Sequence, residues 1–244
     1  MPKREVELIN GEIYHIVIRA IEGVKLFRDR KDFLRMIHDL FEFNDVKLSS
    51  PSFRVKCCRN KFNIAKADII KITEETSKRR KKRKLLVEIL AFCLMPNHVH
   101  LLVRQLRDGG ISKFMKKFGG YANYYNRKYK RKGHLFQDRY QIVHIKNDEQ
   151  LKTVFVYIHT NSVAIIYPNW KEKGIKNLKK AIKFIESYEW SSYLDYLRKK
   201  NFPSLTSREF LLKLMGGIKG CRNFVNGWLS FKRELADLEI IAIE

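Results

Sequence analysis

Residues 85–103 read LLVEILAFCLMPNHVHLLV. Two apolar, β-rich runs flank Met95-Pro96-Asn97, a turn signal, so the stretch reads as two strands joined in a hairpin, Leu85 to Cys93 and His98 to Val103. In the second strand, positions i and i+2 face the same way. His98 and His100 therefore stand side by side, with Val99 turned to the opposite face. Two neutral imidazoles on one face suit a divalent cation. Leu101-Leu102-Val103 continue the strand into a core, which would hold such a pair rigidly.

Upstream, Glu12 to Arg19 (EIYHIVIR) is a short β-branched strand carrying His15, which could face the same sheet surface as the histidine pair but is read first as a core or surface histidine. Asp29 to Phe43 is a helix, with Phe33, Met36, Ile37 and Leu40 at i, i+3, i+4 and i+7. Downstream, a helix runs from near Ser112 through Tyr125, with a kink expected at Gly119-Gly120. Phe136 to Ile145 contains a short strand, and a helix from about Glu149 to Val163 stops before Pro168. Further helices are expected near 176–200, 207–216 and 221–238, with Trp190 and the YEWSSYLDYL segment covering the core. The order of elements indicates an α+β fold, helices packed on an antiparallel sheet, plus a C-terminal helical extension. The chain divides into a main domain at 1–200 and the extension at 201–244.

Between the first helix and the hairpin lies a stretch of different character, 44–84. From Pro51 to Lys84 it holds 13 basic and 3 acidic residues and ends in KRRKKRK. It reads as a basic insertion. The whole chain has 244 residues, 50 Lys and Arg against 26 Asp and Glu, and a net charge of +24. Such a surface favours a polyanion: nucleic acid first, an anionic membrane second. No run approaches the roughly 20 apolar residues of a membrane span, and MPKREVELINGE lacks the apolar core of a signal peptide. Cys57, Cys58, Cys93 and Cys221 form no C-x-x-C pair, which argues for free thiols in a reducing cytoplasm.

A second motif is Tyr157-Ile158-His159-Thr160-Asn161. On a helix, Tyr157 and Asn161 share a face. The Asn161 amide could complete a cation site begun by two histidines, with the Tyr157 phenol about one turn away. That combination supplies a nucleophile and a Lewis acid, the needs of phosphodiester transesterification. Tyr124 and Tyr125 are rival nucleophiles, but neither has an amide or carboxylate four residues on. Lys113, Lys116, Lys117, Arg127, Lys128, Lys130, Arg131 and Lys132 surround Tyr121, Tyr124, Tyr125 and Tyr129. Cations contact phosphates and rings stack on unpaired bases, or else the rings pack the helix on the sheet. Gly133 allows a tight turn, His134 caps it or joins a site, and Arg139 is placed to clamp a phosphate.

Taken together, MPNHVHLLV (95–103), KFGGYANYYNRKYKRKGHLFQDRY (117–140), YIHTNSV (157–163) and YEWSSYLDYL (188–197) resemble the single-tyrosine HUH transposases. They are most similar to the branch of REP-associated tyrosine transposases, over about 10–43 and 85–197. The resemblance implies a ferredoxin-like sheet with flanking helices. It implies cleavage and rejoining of single-stranded, hairpin-bearing DNA (a palindromic repeat) through a 5′-phosphotyrosine, with Mg²⁺ or Mn²⁺. By position, His98 and His100 are the HUH pair, Tyr157 the nucleophile and Asn161 the polar third ligand. Ser162 stands where members usually carry Pro, and the 44–84 insertion has no counterpart role. A monomer or homodimer associated with the nucleoid is expected. The contrasting reading is a nucleic-acid binder of the same fold that does not cleave.

Overall fold

The computed structural model describes residues 6–47, 66–67, 70–71, 83–138 and 140–241, with side chains described as far as Lys232. Cys57, Cys58, Arg139 and most of the basic 44–84 stretch fall outside the described residues. Strands β1 (Ile13–Arg19), β2 (Val87–Met95), β3 (His98–Gln105) and β4 (Gln141–Ile145) form one antiparallel sheet in the order β2-β3-β1-β4. The expected hairpin is present, shifted by two residues at the end of each strand. The α+β architecture, helices on an antiparallel sheet, is the one read from the sequence.

Helix α1 (Arg30–Phe43) begins at Asp29, whose carboxylate accepts from the Asp32 amide while Asp32 reaches back to the N-cap, a reciprocal capping box. Its end is tied to the sheet by Asn44. The Asn44 amide oxygen accepts from Leu86 N at 3.2 Å and Val87 N at 3.0 Å, and its nitrogen donates to Val87 O at 2.8 Å. Val46 N also donates to Lys84 O at 2.9 Å. The chain between these residues thus leaves and rejoins the fold at one place. Asn44→Ala would orphan three buried backbone partners. A loss of about 3 kcal/mol is expected, read as the change in urea unfolding midpoint; a loss below about 0.5 kcal/mol would contradict the role of this joint.

The expected single helix at 112–125 is instead two, α2 (Gly110–Lys116) and α3 (Gly119–Lys128). The break lets α3 press on α1: a Cβ at Gly120 would stand 2.9 Å from the Phe43 ring. Beyond β4, helix α4 (Asp148–Thr160) is capped by Asn147, whose side chain accepts from Gln150 N, and it runs into a 3-10 turn at Asn161–Ile165. The remaining helices are α5 (Trp170–Lys173), α6 (Leu178–Ile185), α7 (Tyr193–Tyr196), α8 (Glu209–Leu214) and α9 (Gly217–Ile241).

The expected helix over 176–200 is interrupted. Leu94 N donates to Trp190 O and Ser192 N to Phe92 O, so residues near 188–192 lie along the outer edge of β2. This segment covers an otherwise open strand edge. Trp190 is buried, as expected.

The register sorts the sheet into two faces. His98, His100 and Leu102 of β3 lie opposite Arg19, Val17 and His15 of β1. The other face, with Tyr14, Ile16, Ile18, Val99, Leu101 and Val103, is buried in a core that takes in Leu34, Ile37 and Leu40 of α1, Phe114 of α2 and Tyr121 of α3. The same core continues through Leu211, Cys221, Val225 and Leu229. Among the described residues no helix is long and apolar enough to cross a membrane.

Candidate active site

Helix α4 packs on β2 and β3 over the histidine face and brings Tyr157 to it. The His98 and His100 ring centres are 4.8 Å apart, and the Tyr157 ring lies edge-on to His100 at 5.5 Å. Asn161, one turn past Tyr157, sets its amide nitrogen 2.6 Å from His100 Nε2. The four residues singled out from the sequence are therefore neighbours. Ser162 does not displace Asn161, because the chain passes from α4 into the 3-10 turn, where Ser162 Oγ donates to His159 O at 3.3 Å. Tyr157 is half-buried, whereas His100 is fully buried.

Two further side chains belong to the cluster. His15 stacks on His100 with ring centres 5.2 Å apart, and its Nε2 is 3.0 Å from His100 Nδ1. Lys171, on α5, holds its ammonium 4.3 Å from the centre of the Tyr157 ring and donates to Asn161 Oδ1 at 3.3 Å. His15 is thus no isolated core or surface histidine. Its signal in the sequence was an inward-facing position on a strand; the pairing of β1 with β3, which joins it to His100, is not local. Nothing in the sequence near Lys171 marks it.

The hydrogen bonds define the tautomers. Lys171 fixes the oxygen of the Asn161 amide away from His100, so the amide N–H donates to His100 Nε2. His100 then carries its proton on Nδ1 and donates to His15. His98 Nδ1 donates to Asn97 Oδ1 at 2.7 Å. Both histidines of the pair thus hold Nδ1 in a protein hydrogen bond and keep Nε2 as the lone-pair atom, which in His100 now accepts from Asn161; metal-ligating imidazoles are oriented in the same way. Burial lowers the pKa of His98 to about 4, with help from Arg19 and Lys171. Burial also lowers His15 to about 4, and burial with the neighbouring positive groups carries His100 well below its ordinary value. All three are neutral at pH 7, the form that binds a cation.

Among the described residues, no group of three or more His, Cys, Asp or Glu is set to hold a metal by itself. The donor set here is two imidazole nitrogens and, with its amide turned over, Asn161 oxygen. That set fits a divalent cation completing its shell from solvent or phosphate oxygen.

The tyrosines of the aromatic and basic segment are tied into the fold. Tyr121 OH donates to Leu26 O at 2.7 Å, Tyr125 OH to Lys25 O at 2.8 Å, and Tyr124 and Tyr129 to Asp32 at 2.9 and 2.7 Å. Tyr121 and Tyr125 are fully buried, and the Arg28 guanidinium lies over Tyr129 at 4.4 Å. Each of these phenols, those of Tyr124 and Tyr125 included, is tied to a group away from the histidines. Lys128 is committed to Asp29 and Asp32 at 2.8 and 2.7 Å, and Lys117 to the carbonyl of Asp45. Arg131 donates to Asn126 and to Gly133 O. Lys113, Lys116, Arg127, Lys130 and Lys132 are exposed. Gly133 adopts φ +86°, the tight turn expected there, and His134 beside it is exposed. The loop after α3 returns to the site's end of the sheet, where Gln137 N donates to Arg19 O at 2.9 Å. His159 is buried against Ser192 Oγ at 2.8 Å and takes no part in the site.

Comparison with known proteins gives a match of residues 53–161 to the family model described as "Transposase IS200 like". The matched segment contains His98, His100, Tyr157 and Asn161, and it begins inside the basic stretch that the motif resemblance had set aside. Comparison with solved structures gives a REP-associated tyrosine transposase bound to a REP hairpin, at 13% identity and TM-score 0.43, covering 86% of this chain and 93% of that one. No curated protein matches.

Proposed function

We propose, for a chain whose residues 53–161 match the IS200-like transposase family model, that it cleaves and rejoins single-stranded, hairpin-bearing DNA by metal-dependent strand transfer. Tyr157 is the nucleophile. The observation that carries this reading is the meeting of Tyr157 and Asn161 with an imidazole pair whose Nδ1 atoms are engaged by His15 and Asn97, so that Nε2 is the lone-pair atom of each ring, in His100 the one that meets Asn161. A fold that served only to bind DNA has no need of tautomers arranged in this way.

In the reaction, Tyr157 Oη bonds to phosphorus and the P–O3′ bond breaks. The phenol proton is balanced by the proton gained at the leaving 3′ oxygen. The phosphate stays on the 5′ side as a phosphotyrosine, and attack by another 3′-OH reverses the step. A divalent cation, Mg²⁺ or Mn²⁺, held by His98, His100 and Asn161, would supply positive charge to polarise the phosphate. His15 and Asn97 orient the two imidazoles. A phenol, with its usual pKa near 10, is a weak nucleophile at pH 7, so stabilisation of charge in the transition state is the dominant need. The exposed cations Lys113, Lys116, Arg127, Lys130 and Lys132, with Arg131 and Arg139, offer phosphate contacts to the hairpin. Lys117 and Lys128, whose ammonium groups are already engaged, contribute to the local fold instead.

The test is incubation of the protein with end-labelled, hairpin-bearing single strands in Mn²⁺, followed by denaturing electrophoresis. A covalent adduct is expected, lost with EDTA. His98→Ala, at a half-buried position, is expected to lower its rate on the order of 10²–10³-fold while hairpin binding persists. Wild-type protein that binds hairpins equally with and without Mn²⁺ and never forms an adduct would favour the binder without cleavage.

A further inference from the structure

Lys171 is not a loose surface lysine. Its helix α5 is one turn long and starts at Asn169, whose φ of 62° is tolerated by Asn better than by most residues. Next in the chain, Trp170 is buried at 1% exposure and anchors the turn in the core. Lys173 N donates to Asn169 O at 2.8 Å, and the Lys171 carbonyl itself accepts from Lys232 Nζ at 3.3 Å. The backbone is held on both sides, and the side chain reaches across to Tyr157 and Asn161.

The charge arrangement around it is one-sided. Among the described residues, neither Lys171 nor Arg19 forms an ion pair with a carboxylate. Arg19 lies on the histidine face, opposite His98 in the strand register. Elsewhere the chain does pair its cations, as in Lys128 with Asp29 and Asp32, Arg30 with Glu189 and Arg104 with Glu88. Two uncompensated cations thus converge on a phenol and three neutral imidazoles. An anion is the missing complement. The neutral partner that Lys171 now has, the Asn161 oxygen at 3.3 Å, is a weaker acceptor than a phosphate oxygen.

We propose that Lys171 is a catalytic residue that binds a non-bridging oxygen of the scissile phosphate while Tyr157 attacks. This rests on the strand-transfer reading above. Lys171 changes no bond and keeps its protons. The Oη–P bond forms and P–O3′ breaks as described, and the ammonium stabilises charge on the phosphoryl oxygens and on the phenol oxygen as it loses its proton. When the phosphate draws Lys171 away, the Asn161 amide is released to turn its oxygen toward His100. Substrate binding and completion of the cation site are thereby coupled through one side chain.

The experiment is single-turnover adduct formation in Mn²⁺ with wild type, Lys171→Met, Lys171→Arg and Tyr157→Phe. Each is assayed on a strand with an ordinary phosphodiester and on one with a neutral methylphosphonate at the scissile linkage. Hairpin affinity and thermal unfolding are measured alongside. Lys171→Met is expected to slow adduct formation on the order of 10²-fold, with hairpin affinity within about threefold of wild type and an unchanged melting curve. Lys171→Arg should recover part of the rate. Replacing the phosphodiester by methylphosphonate should change the wild-type rate by a larger factor than it changes the Lys171→Met rate. A Lys171→Met enzyme as fast as wild type, or one whose slowing matches its loss of affinity, overturns the assignment. Adduct absent from wild type on every strand overturns the strand-transfer reading itself, and the assignment with it.

Discussion

Tyr157→Phe is expected to abolish the covalent protein–DNA adduct, lowering its rate by about 10⁴-fold or more, while hairpin affinity and thermal stability stay near wild type. The size follows from chemistry. Phenylalanine preserves the edge-on ring contacts with His100 at 5.5 Å and His15 at 5.8 Å, and the face that Lys171 covers. Only the oxygen is lost, and with it the bond that defines the intermediate. The Tyr157 hydroxyl makes no side-chain hydrogen bond among the described residues, so its removal orphans no partner. That separates it from Tyr121, Tyr124, Tyr125 and Tyr129, whose hydroxyls all serve the fold. A gel-shift titration and a melting curve on the same preparation check the two halves of this expectation. A variant that still forms a third of the wild-type adduct would refute the assignment of Tyr157.

Asp32→Ala has the largest expected effect on stability. Asp32 is fully buried, and its carboxylate accepts from Arg28 N at 2.8 Å, Asp29 N at 3.3 Å, Tyr124 OH at 2.9 Å, Tyr129 OH at 2.7 Å and Lys128 Nζ at 2.7 Å. It closes the capping box of α1 and ties α3 to it. The same interactions hold the Lys128 charge firmly on and push the Tyr129 phenol up to about 12, through burial first and the Asp32 hydrogen bond second. Alanine would leave two phenols without their acceptor and the Lys128 ammonium with Asp29 alone. Breaking a buried charged network from one side costs about 3–5 kcal/mol, which for a chain of this size corresponds to a fall in Tm of about 6–20 °C. Asp32→Asn, which keeps the shape and loses the charge, should fall between. A Tm within about 2 °C of wild type for Asp32→Ala would contradict this account of the segment.

That cluster also shows where the sequence misleads. A run of lysines, arginines and tyrosines from 113 to 132 has the composition of a nucleic-acid surface. Lys128 and the Tyr124 and Tyr129 hydroxyls instead engage Asp29 and Asp32 at the start of α1, while Tyr121, Tyr125 and Lys117 bond the carbonyls of Leu26, Lys25 and Asp45, partners that only the tertiary fold supplies. The hairpin was legible because all its information is local: two apolar runs, a Pro-Asn turn and a period of two. Tyr157 and Asn161 were legible as a pair because helical spacing fixes them. Lys171 was not legible and His15 only as one that could share the sheet face, since each reaches the site through a contact between elements distant in sequence. The 176–200 region failed for a related reason. Tyr188, Trp190, Tyr193 and Tyr196 look like a helical stripe, yet the backbone hydrogen bonds offered by the β2 edge at Phe92 and Leu94 pull the chain straight between α6 and α7.

The central claim is chemical: the phenol beside the histidine pair takes the DNA strand. Trypsin releases a peptide from Thr153 to Lys171 that holds Tyr157 and Tyr167. The most direct test is tandem mass spectrometry of the nuclease-trimmed adduct, which locates the nucleotide remnant on a single residue. The account expects it on Tyr157 Oη through a phosphate ester to the 5′ end of the strand. A remnant on Tyr167, on Tyr124 or Tyr125, or on any residue other than Tyr157 would contradict it.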